Sequence, residues 1–508
     1  MSRNRRLRQQ QRQTAAVAEA TVASQPPIPH ASLWLAAAFL LPNLGVLACG
    51  FVFDDLPLIV DNESLHVHSP GQLAHIWASG YWPDRRSLGL YRPIAQTLWA
   101  LIWSAGGGSH PALFHAANLV LGTAVVLLLY RLLLLVQTPP RTAFIAAALF
   151  ALFPIHTDAT ASVVGSAELL AATFGLGALI LYYRQRPIAA ILLFALAAFS
   201  KESAAAVAAL PLVLPGKEKR SQPSLIAGVG AAIVIVGALV AHHIISRESH
   251  IPAIDNPMGL VQTEPRILSA LWIQCIYMFK TLVPVTLSAD YSYKQIPLVM
   301  SLGNWRAWAG CVLAGGAIFL VWRRPQLRTP VLIYAILFSS TANILFPIGT
   351  MMGERLVYLP SVGLALFLAV LLARTQYWKH VLIAVAVLFG VRTAVRNLDW
   401  RNPERFYTKL VETAPNSAKS YYSYGALLSS RGDDVGAIAA YDRAIAIFPA
   451  YSEAFHNRGN ALARLGRRDE AMASYRQCLR FDPGHTGAAF NLMQLQAGLP
   501  LNPPRTRM

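Results

Sequence analysis

The sequence predicts an all-α protein, in which a polytopic bundle of membrane-spanning helices precedes a short superhelix of helical-hairpin repeats. Hydrophobic residues make up 55% of the 508 residues and charged residues only 13%, whereas soluble proteins carry about a quarter charged residues. Apolar runs of the length that crosses a bilayer recur between residues 31 and 396. Beyond residue 396 the pattern changes to a repeat with a period of 34 residues. The lipid bilayer is therefore the first predicted partner of the chain.

The net charge of +18 is not a sign of nucleic-acid binding. No basic face with interleaved aromatic residues is present, and the basic residues lie in short loops, as expected for loops kept on the cytoplasmic side. Residues 1–30 form a basic cytoplasmic tail. The apolar run that follows is too long for a signal-peptide core, so we expect an uncleaved anchor. None of the four cysteines belongs to a CxxC pair, so neither a zinc site nor a disulfide framework is indicated.

The basic loops assign a side to each end of the apolar runs. In the membrane region, residues 31–396, they predict about eleven crossings, with the N-terminus in the cytoplasm and the C-terminus outside. The run 267–285 breaks the alternation, so we expect it to enter and return or to lie along the interface. The cytoplasmic basic residues are those of the N-terminal tail with Arg141, Arg184, Arg186, Lys217, Lys219, Arg220, Arg323, Arg324, Arg328, Arg374 and Lys379.

This topology gathers the polar clusters of the membrane region on the non-cytoplasmic side. The first outer loop, 54–112, opens with Asp54 and Asp55 in the segment FVFDDLPLIVDN. Carboxylates at membrane depth are costly and indicate a functional site, and a solvated turn that ends the span is the alternative. The other outer clusters contain His156, Asp158, Lys201, Glu202, Asp255, Asp290, Glu354 and Arg355, with Glu168 inside its run. Together they predict an outward-facing reaction chamber, against the alternative of loops that are polar by chance.

The C-terminal region, 397–497, carries two copies of a helical-hairpin repeat, 418–451 and 452–485. Small residues stand where the paired helices cross and a proline ends each second helix, which is the tetratricopeptide pattern. The segment 402–417 is predicted to be half a repeat and 486–497 a capping helix, with a tail at 498–508. The protein-binding candidates are Tyr421, Tyr424, Phe455 and Arg458.

The order of the motifs resembles a known family, the transmembrane-and-tetratricopeptide-repeat O-mannosyltransferases, which are C-type glycosyltransferases. The similarity runs from about residue 45 over nearly the whole chain. Two departures are Asp158, where the family tends to have Glu, and Ser166-Ala167, where it tends to have Arg before the acid. The motifs are FDDLPLIVDN (53–62), YRPIAQTLW (91–99), HPALFHAANLVL (110–121), LFPIHTDATASVVGSAELLA (152–171), SKESAAAV (200–207), DNP (255–257), LSADYS (287–292) and FPIGTMMGERLVYLPSVG (346–363), followed by the repeats.

The resemblance implies a polyprenyl- or dolichyl-phosphate sugar as donor, with mannose the expected sugar. The acceptor is expected to be a Ser or Thr hydroxyl of an exported protein, captured by the tetratricopeptide repeats, and the sugar carbon is expected to invert. The repeat array is short, which leaves less acceptor surface. We expect a bacterial inner membrane, or the endoplasmic reticulum membrane in a eukaryote, with the repeats on the non-cytoplasmic side.

Such a reaction needs a base for the acceptor proton and a cation for the departing phosphate. Asp54 or Asp55 fits the base. Arg355 is the first choice for the phosphate because a guanidinium grips phosphate bidentately, and Lys201 is the second. Alternatively, these two cations only pair with the acidic residues beside them in the sequence.

Substrate positioning is the third requirement. His156 and Asp158, two residues apart, are candidates either for hydrogen bonds to the sugar or for a divalent metal ion, and two ligands are too few to define a metal site. No other cofactor is indicated. The remaining positioning candidates are Glu168, Glu202, Glu354 and Arg92.

Two other function classes compete with a glycosyltransferase. A non-catalytic membrane-anchored repeat scaffold for protein assembly would not need outer carboxylates, lysine and arginine at several span ends. A transporter would place polar groups near mid-membrane and show internal repeats in its spans, and no such repeat is found.

Overall fold

The computed structural model of the protein describes residues 28–82, 90–106, 108, 110–215, 222–245, 251–499 and 501. Most of the predicted basic tail, the cytoplasmic segment 217–220, part of the first outer loop and most of the C-terminal tail lie outside these residues. Within the described ranges, all regular secondary structure is helical, which confirms the predicted class. The α-helices are α1 Ala31–Asn43, α2 Pro70–Ile76, α3 Pro93–Ser104, α4 Pro111–Leu135, α5 Pro140–Leu152, α6 Thr157–Ala161, α7 Ser166–Tyr183, α8 Pro187–Ser200, α9 Gln222–Ile245, α10 Thr263–Leu282, α11 Trp305–Arg323, α12 Pro325–Phe338, α13 Ser361–Leu372, α14 Trp378–Asn397, α15 Pro403–Thr413, α16 Ala418–Ser430, α17 Asp434–Ile447, α18 Ser452–Arg464, α19 Arg468–Phe481 and α20 Thr486–Gln496.

Short helices of other types connect these elements. The 3₁₀ segments and the single π segment fall mainly at the ends of the apolar helices, where the polar clusters of the sequence lie. They are Leu44–Ala48, Leu56–Val60 (π), Glu63–Leu65, Pro154–His156, Val163–Gly165, Glu202–Leu212, Pro257–Leu260, Glu354–Val357 and Leu398–Trp400.

Proline sets many of the helix starts. The N–H of the first helical residue has no acceptor within the helix, so proline, which has no N–H, loses no hydrogen bond there and is favoured at that position. The first residue is proline in α2, α3, α4, α5, α8, α12 and α15.

Six helical segments among the described residues are long and apolar enough to cross a membrane, and the bent pair Pro140–Leu152 and Pro154–Ala161 adds a seventh if it is one span. The shorter apolar helices are Pro187–Ser200, Glu202–Leu212 and Ser361–Leu372. The count of eleven crossings therefore stays a prediction. Residues 267–282 of the run 267–285 lie in α10, which is one continuous helix and does not fit a segment that enters and returns.

The bundle is built around α4, α5, α7 and α13, whose apolar side chains form one large buried cluster. Helix α5 is the most enclosed of these, because every residue from Thr142 to Leu152 is buried. Helices α12 and α13 approach closely at Gly363, where an added Cβ atom would lie 2.5 Å from the backbone nitrogen of Tyr334. Helix α9 lies at the edge of the bundle, and most of its apolar side chains are exposed.

The first outer loop folds into a small domain on one end of the bundle. Its helices share a second apolar cluster that includes Leu58, Ile76 and Trp99. The indole N–H of Trp99 is buried and donates to the Ser166 hydroxyl at 2.7 Å, at the start of α7. This bond and the shared cluster fix the loop domain over the break before α7.

Helices α15–α20 form the C-terminal region, and α16–α19 are the paired helices of the two predicted repeats; the half repeat and the capping helix stay predictions. Gly425 and Gly459 let the two helices of each repeat touch, because a Cβ atom there would meet the rings of Tyr441 and Tyr475 at 2.8 and 2.6 Å. Helix α15 continues from α14 through Leu398–Trp400, and its buried aromatic residues join the main cluster of the bundle. The array is therefore packed against the membrane region.

Candidate active site

The site is centred on the turn 51–55, which follows the first apolar helix. Phe53 takes a positive φ of 55°, a conformation that is strained for a residue with a side chain. Next to it, Asp54 Oδ2 accepts a hydrogen bond from Arg355 Nη2 at 2.8 Å. The backbone N–H of Arg355 donates to Asp158 Oδ2 at 3.0 Å. Three motifs that are far apart in the sequence thus meet within hydrogen-bonding distance.

Asp55 has a different environment from Asp54, although the two are adjacent. Its side chain is fully buried and accepts hydrogen bonds from the backbone N–H of Val164 at 3.0 Å, from the Ser162 hydroxyl at 3.3 Å and from the Val52 N–H at 3.4 Å. Burial raises the pKa of the Asp55 carboxyl to about 7, and the backbone bonds only partly oppose this. Asp55 therefore ties the turn to the break before α7, whereas the Asp54 side chain keeps about 15% of its surface exposed.

Two further ion pairs lie beside this centre. Lys201 Nζ bonds to the carboxylate of Glu168, and both side chains are buried. Arg92 holds Glu202 bidentately, with Nε donating to Oε2 at 2.9 Å and Nη2 donating to Oε1 at 2.6 Å. Neither Lys201 nor Arg355 pairs with the acid next to it in the sequence, so that interpretation of the two cations is wrong.

Tyr81 connects the pairs, and sequence reasoning did not select it. Its ring lies 4.7 Å under the guanidinium carbon of Arg92. The Tyr81 hydroxyl also lies within electrostatic reach of Arg355 and Asp54, and its pKa rises to about 12, chiefly through burial. No pattern around Tyr81 distinguishes it from a structural aromatic residue of the loop.

His156 is buried in the core of the bundle. Its Nε2 is 2.8 Å from the Ser361 hydroxyl. The ring is enclosed by Phe150 and Tyr358, with centroids 4.6 Å away in both cases. His156 and Asp158 therefore bond in different directions, the histidine to α13 and the aspartate to the segment that carries Arg355.

Metal-ligand geometry appears elsewhere in the described part of the chain. The one group of three His, Cys, Asp or Glu side chains close enough to share an ion is Glu453, His456 and His485, in the repeats. The Nδ1 atom of His485 accepts the Ala488 N–H at 3.1 Å, so in the neutral ring the proton sits on Nε2, which faces Glu453 Oε2 at 3.3 Å. A protonated Nε2 is not a metal ligand, and this arrangement does not fit an ion.

Glu354 is buried directly beside Arg355 in the sequence but points away from it. Its Oε1 accepts the Ser288 N–H at 2.7 Å and also bonds to the Tyr291 hydroxyl. Burial raises the pKa of Glu354 to about 7, and the cations of Arg396 and Lys280 oppose this. Glu354 thus anchors the segment of Arg355 to the loop around Tyr291.

Arg396 at the end of α14 is a second residue that sequence reasoning missed. Its guanidinium is buried, donates through Nη1 to Asp399 at 3.0 Å, and lies within electrostatic reach of Asp158 and Glu354. The sequence did contain a signal for Arg396, because it is a charged residue that directly follows the apolar residues 378–395.

Two acids of the predicted outer clusters contact the repeat array. Asp290 bonds to the hydroxyls of Ser417 and Ser420, and Asp255 pairs with Lys419 at 2.8 Å. Neither is a free residue at the rim of the site.

The four predicted protein-binding residues of the repeats make contacts within the fold. Phe455 stacks on Phe481 with centroids 5.9 Å apart, and the Arg458 side chain bonds to Asp442 at 2.6 Å. Tyr421 lies under the guanidinium of Arg443 at 5.7 Å, and Tyr424 packs on the main cluster of the bundle. Their part in acceptor binding stays a prediction.

An apolar groove lies along the helices that carry the ion pairs, nearer to their opposite ends. It has a volume of about 780 Å³ and is lined by side chains of α7, α8, α9 and the helix Glu202–Leu212. Phe194, Val207 and Leu212 are among them. The helix Glu202–Leu212 therefore carries a charge pair at its first residue and lines the apolar groove with its second half.

The segment 247–318 matches the family model described as protein O-mannosyl-transferase TMTC, DUF1736. Tetratricopeptide models match residues 425–466 and 452–485, and the second match has the bounds of the second predicted repeat. The resemblance seen in the motifs is thereby confirmed.

Curated proteins from animals are similar over most of the chain. Protein O-mannosyl-transferase F38B6.6 of Caenorhabditis elegans is 27% identical, over 83% of this chain and 63% of its own length. Protein O-mannosyl-transferase TMTC3 of Homo sapiens is 26% identical, over 88% of this chain and 56% of its own. For TMTC4 of Homo sapiens the values are 26%, 77% and 63%. The chain thus spans roughly three-fifths of the length of these relatives.

Proposed function

We propose that this chain, which resembles the TMTC protein O-mannosyl-transferases over most of its length, is a membrane-embedded glycosyltransferase of that type. It moves mannose from a polyprenyl phosphate to a Ser or Thr hydroxyl of an exported protein. The observation that carries the proposal is the contact of Asp54 with Arg355, whose backbone N–H also bonds to Asp158. A carboxylate and a guanidinium in one partly open cluster are the two groups that transfer from a sugar phosphodiester requires.

Arg355 is the group proposed to hold the departing phosphate. Its bond to Asp54 uses Nη2, and a guanidinium carries several further N–H donors, so it can hold the carboxylate and a phosphate oxygen together. About a third of its side chain is exposed, which leaves it open to a ligand. Lys201 and Arg92 lie near by and add positive charge, although Glu168 and Glu202 partly neutralise them.

Asp54 is the proposed base, and Asp55 a positioning residue. The acceptor oxygen attacks the anomeric carbon as Asp54 takes its proton, the bond from that carbon to the phosphate oxygen breaks, and the lipid phosphate leaves with the electron pair. Asp55 is excluded from substrate by its burial and by its backbone hydrogen bonds. Attack from the side opposite the phosphate inverts the sugar carbon.

The apolar groove supports a lipid-linked donor over a soluble one. A polyprenyl chain needs an apolar surface on the same helices as the phosphate site, and this groove is lined by the second half of the helix that begins next to Lys201. Transfer on the non-cytoplasmic side follows from the predicted topology, in a bacterial inner membrane or in the endoplasmic reticulum.

The test uses the purified full chain with several polyprenyl-phosphate sugars and Ser/Thr peptides, with and without a chelator. We expect transfer of mannose, lowered by about 10²-fold or more in Asp54→Asn. Asp61→Asn is the matched control, because Asp61 is an exposed aspartate of the same loop. Equal transfer by Asp54→Asn and wild type would reject the mechanism. No transfer from any donor, with retained protein binding by the repeats, would favour the scaffold.

A further inference from the structure

The stretch that matches the TMTC family model also contacts the repeat array. We call residues 251–296 the seat, since this part of the match touches residues 413–451 of the array. The contacts fall into a buried polar clamp, a backbone pairing and an apolar contact, and each comes from a different kind of group.

The polar clamp is formed by Asp290 and three hydroxyls. Asp290 Oδ2 bonds to Ser417, to Ser420 at 2.9 Å and to Ser292 at 3.0 Å, and the Ser292 and Ser417 oxygens are 2.9 Å apart. All of these side chains are buried. Ser417 also caps α16 by accepting the Ser420 N–H, so the clamp grips the first turn of the first full repeat. A buried carboxylate whose oxygens are bonded in this way fixes its partners, because losing the bonds would leave the charge unsatisfied.

The backbones of the two parts also pair directly. The Ala418 N–H donates to Tyr293 O at 2.9 Å, and the Lys294 N–H donates to Asn416 O at 3.4 Å. The Tyr293 ring lies 4.8 Å from that of Phe448, at the end of the same repeat. These contacts are made by groups other than those of the clamp, and they touch the first repeat near both of its ends.

The second repeat serves as an internal comparison. The positions that correspond to Ser417, Lys419 and Ser420 are Tyr451, Glu453 and Ala454. The first repeat therefore departs from its neighbour in hydroxyls and in the sign of one charge, at the turn that meets the seat. Repeats that contact only each other have no need for such a difference.

The seat brings Lys419 to the turn that carries the proposed base. Lys419 Nζ pairs with Asp255 at 2.8 Å and lies 5.8 Å over the ring of Phe53, whose backbone is strained. It is also within electrostatic reach of Asp54. The Phe53 ring also contacts the ring of Phe406 on α15, with centroids 5.6 Å apart.

A neighbouring contact ties this turn to the array as well. The Gly50 N–H donates to Arg401 O at 3.1 Å, just before α15. Residues of the C-terminal region thus contact the turn 51–55 and the glycine that precedes it.

We propose that the seat holds the repeat array as a fixed wall of the active site, and that Lys419 is a positioning residue that keeps the Phe53–Asp54 turn in place. The proposal that the seat holds the array as a wall does not require the proposed reaction. The role of Lys419 in catalysis rests on the proposed function. A strained turn keeps its conformation only while its surroundings hold it, and Lys419 is, with Arg355, a charged part of those surroundings.

The seat is tested by disulfide mapping of the full chain. Ser292→Cys with Ser417→Cys should form a cross-link that mass spectrometry finds in non-reduced digests, because the native oxygens are 2.9 Å apart. Ser292→Cys with Ser430→Cys, at the far end of α16, should not. Equal or absent cross-linking in the two pairs would overturn the seat.

Lys419 is tested by amide exchange and by kinetics on Lys419→Met. Exchange of the peptide 49–56 should rise, and kcat for sugar transfer should fall about tenfold with the KM for the lipid donor unchanged, since misplacement costs rate rather than ground-state binding. Lys419→Arg should restore both values. Lys409→Met, which removes a lysine paired with Glu412 on the adjacent helix α15, is the matched control and should change neither.

The outcomes separate the two proposals. Unchanged exchange in Lys419→Met would overturn the positioning role, whether or not the wild type transfers sugar. Raised exchange with no transfer by the wild type from any donor would overturn the proposed function and leave the wall intact. Raised exchange together with unaltered kcat would show that the turn moves without consequence for catalysis, which also overturns the positioning role.

Discussion

Asp55→Asn should make the protein more resistant to rising pH than the wild type is. The folded state raises the pKa of Asp55 from 3.8 to about 7, chiefly through burial. An acid whose pKa rises on folding stabilises the fold while it is protonated, so its contribution is complete below pH ~4 and is lost as the pH rises through ~7. Asparagine stays neutral throughout, so the Asp55→Asn variant has no such loss.

The magnitude follows from the same values. A pKa rise from 3.8 to about 7 corresponds to roughly 4 kcal/mol of differential free energy at neutral to alkaline pH. Asparagine keeps the acceptor for the Val164 N–H but turns its amide toward the Val52 N–H, which costs roughly 1 kcal/mol. We therefore expect Asp55→Asn to be slightly less stable than the wild type near pH 4 and more stable by a few kcal/mol near pH 8.

Thermal unfolding in detergent, followed by the fluorescence of the 11 tryptophans, measures this difference. The Tm of the variant minus that of the wild type should change sign between pH 4 and pH 8, by a few degrees in total. Glu354, whose pKa also rises to about 7, is present in both proteins and cancels in the difference. Parallel Tm curves over this range would refute the reasoning, because Asp55 would then have the same pKa in both states.

Two further substitutions probe the packing around the site. Lys201→Met leaves Glu168 buried without its partner and should lower stability by about 3–5 kcal/mol, seen as a reduced Tm that the added change Glu168→Gln largely restores. Gly363→Ala should reduce the Tm because its Cβ atom would lie 2.5 Å from the backbone of α12, whereas Gly390→Ala, with its nearest atom at 3.9 Å, should not.

The class of fold and the repeats were readable from the sequence because they depend on local pattern. Apolar runs and the period of 34 residues led to the bundle and to helices α16–α19 at nearly the predicted bounds. Residues 203–215, one of the apolar stretches between residues 31 and 396, show the limit of such patterns, since most of them fold as the 3₁₀ helix Glu202–Leu212. Apolar composition alone does not distinguish a short distorted helix packed on its neighbours from a regular span.

The meeting of Asp54 with Arg355 was predictable in outline, whereas the ion-pair partners were not. Placing both residues at one end of the bundle required only the alternation of charged loops. That Lys201 selects Glu168 over Glu202 depends on how α7 faces α8, which no spacing along the chain records. Burial also depends on how the helices pack, so the two adjacent aspartates gave no indication that Asp55 is buried and Asp54 is accessible.

The contact between the repeats and the site was the hardest feature to predict from the sequence, although the sequence contained a signal for it. A tetratricopeptide array buries its core by stacking repeats, so positions on the outer turns are expected to vary without pattern. At the turn that meets the seat, however, the first repeat has Lys419 and the buried hydroxyl of Ser420, where the second has Glu453 and Ala454. A charge of reversed sign at equivalent positions indicates different surroundings, and here those surroundings are the acids Asp255 and Asp290. A comparison of the repeats, position by position, therefore identifies the repeat that contacts another domain.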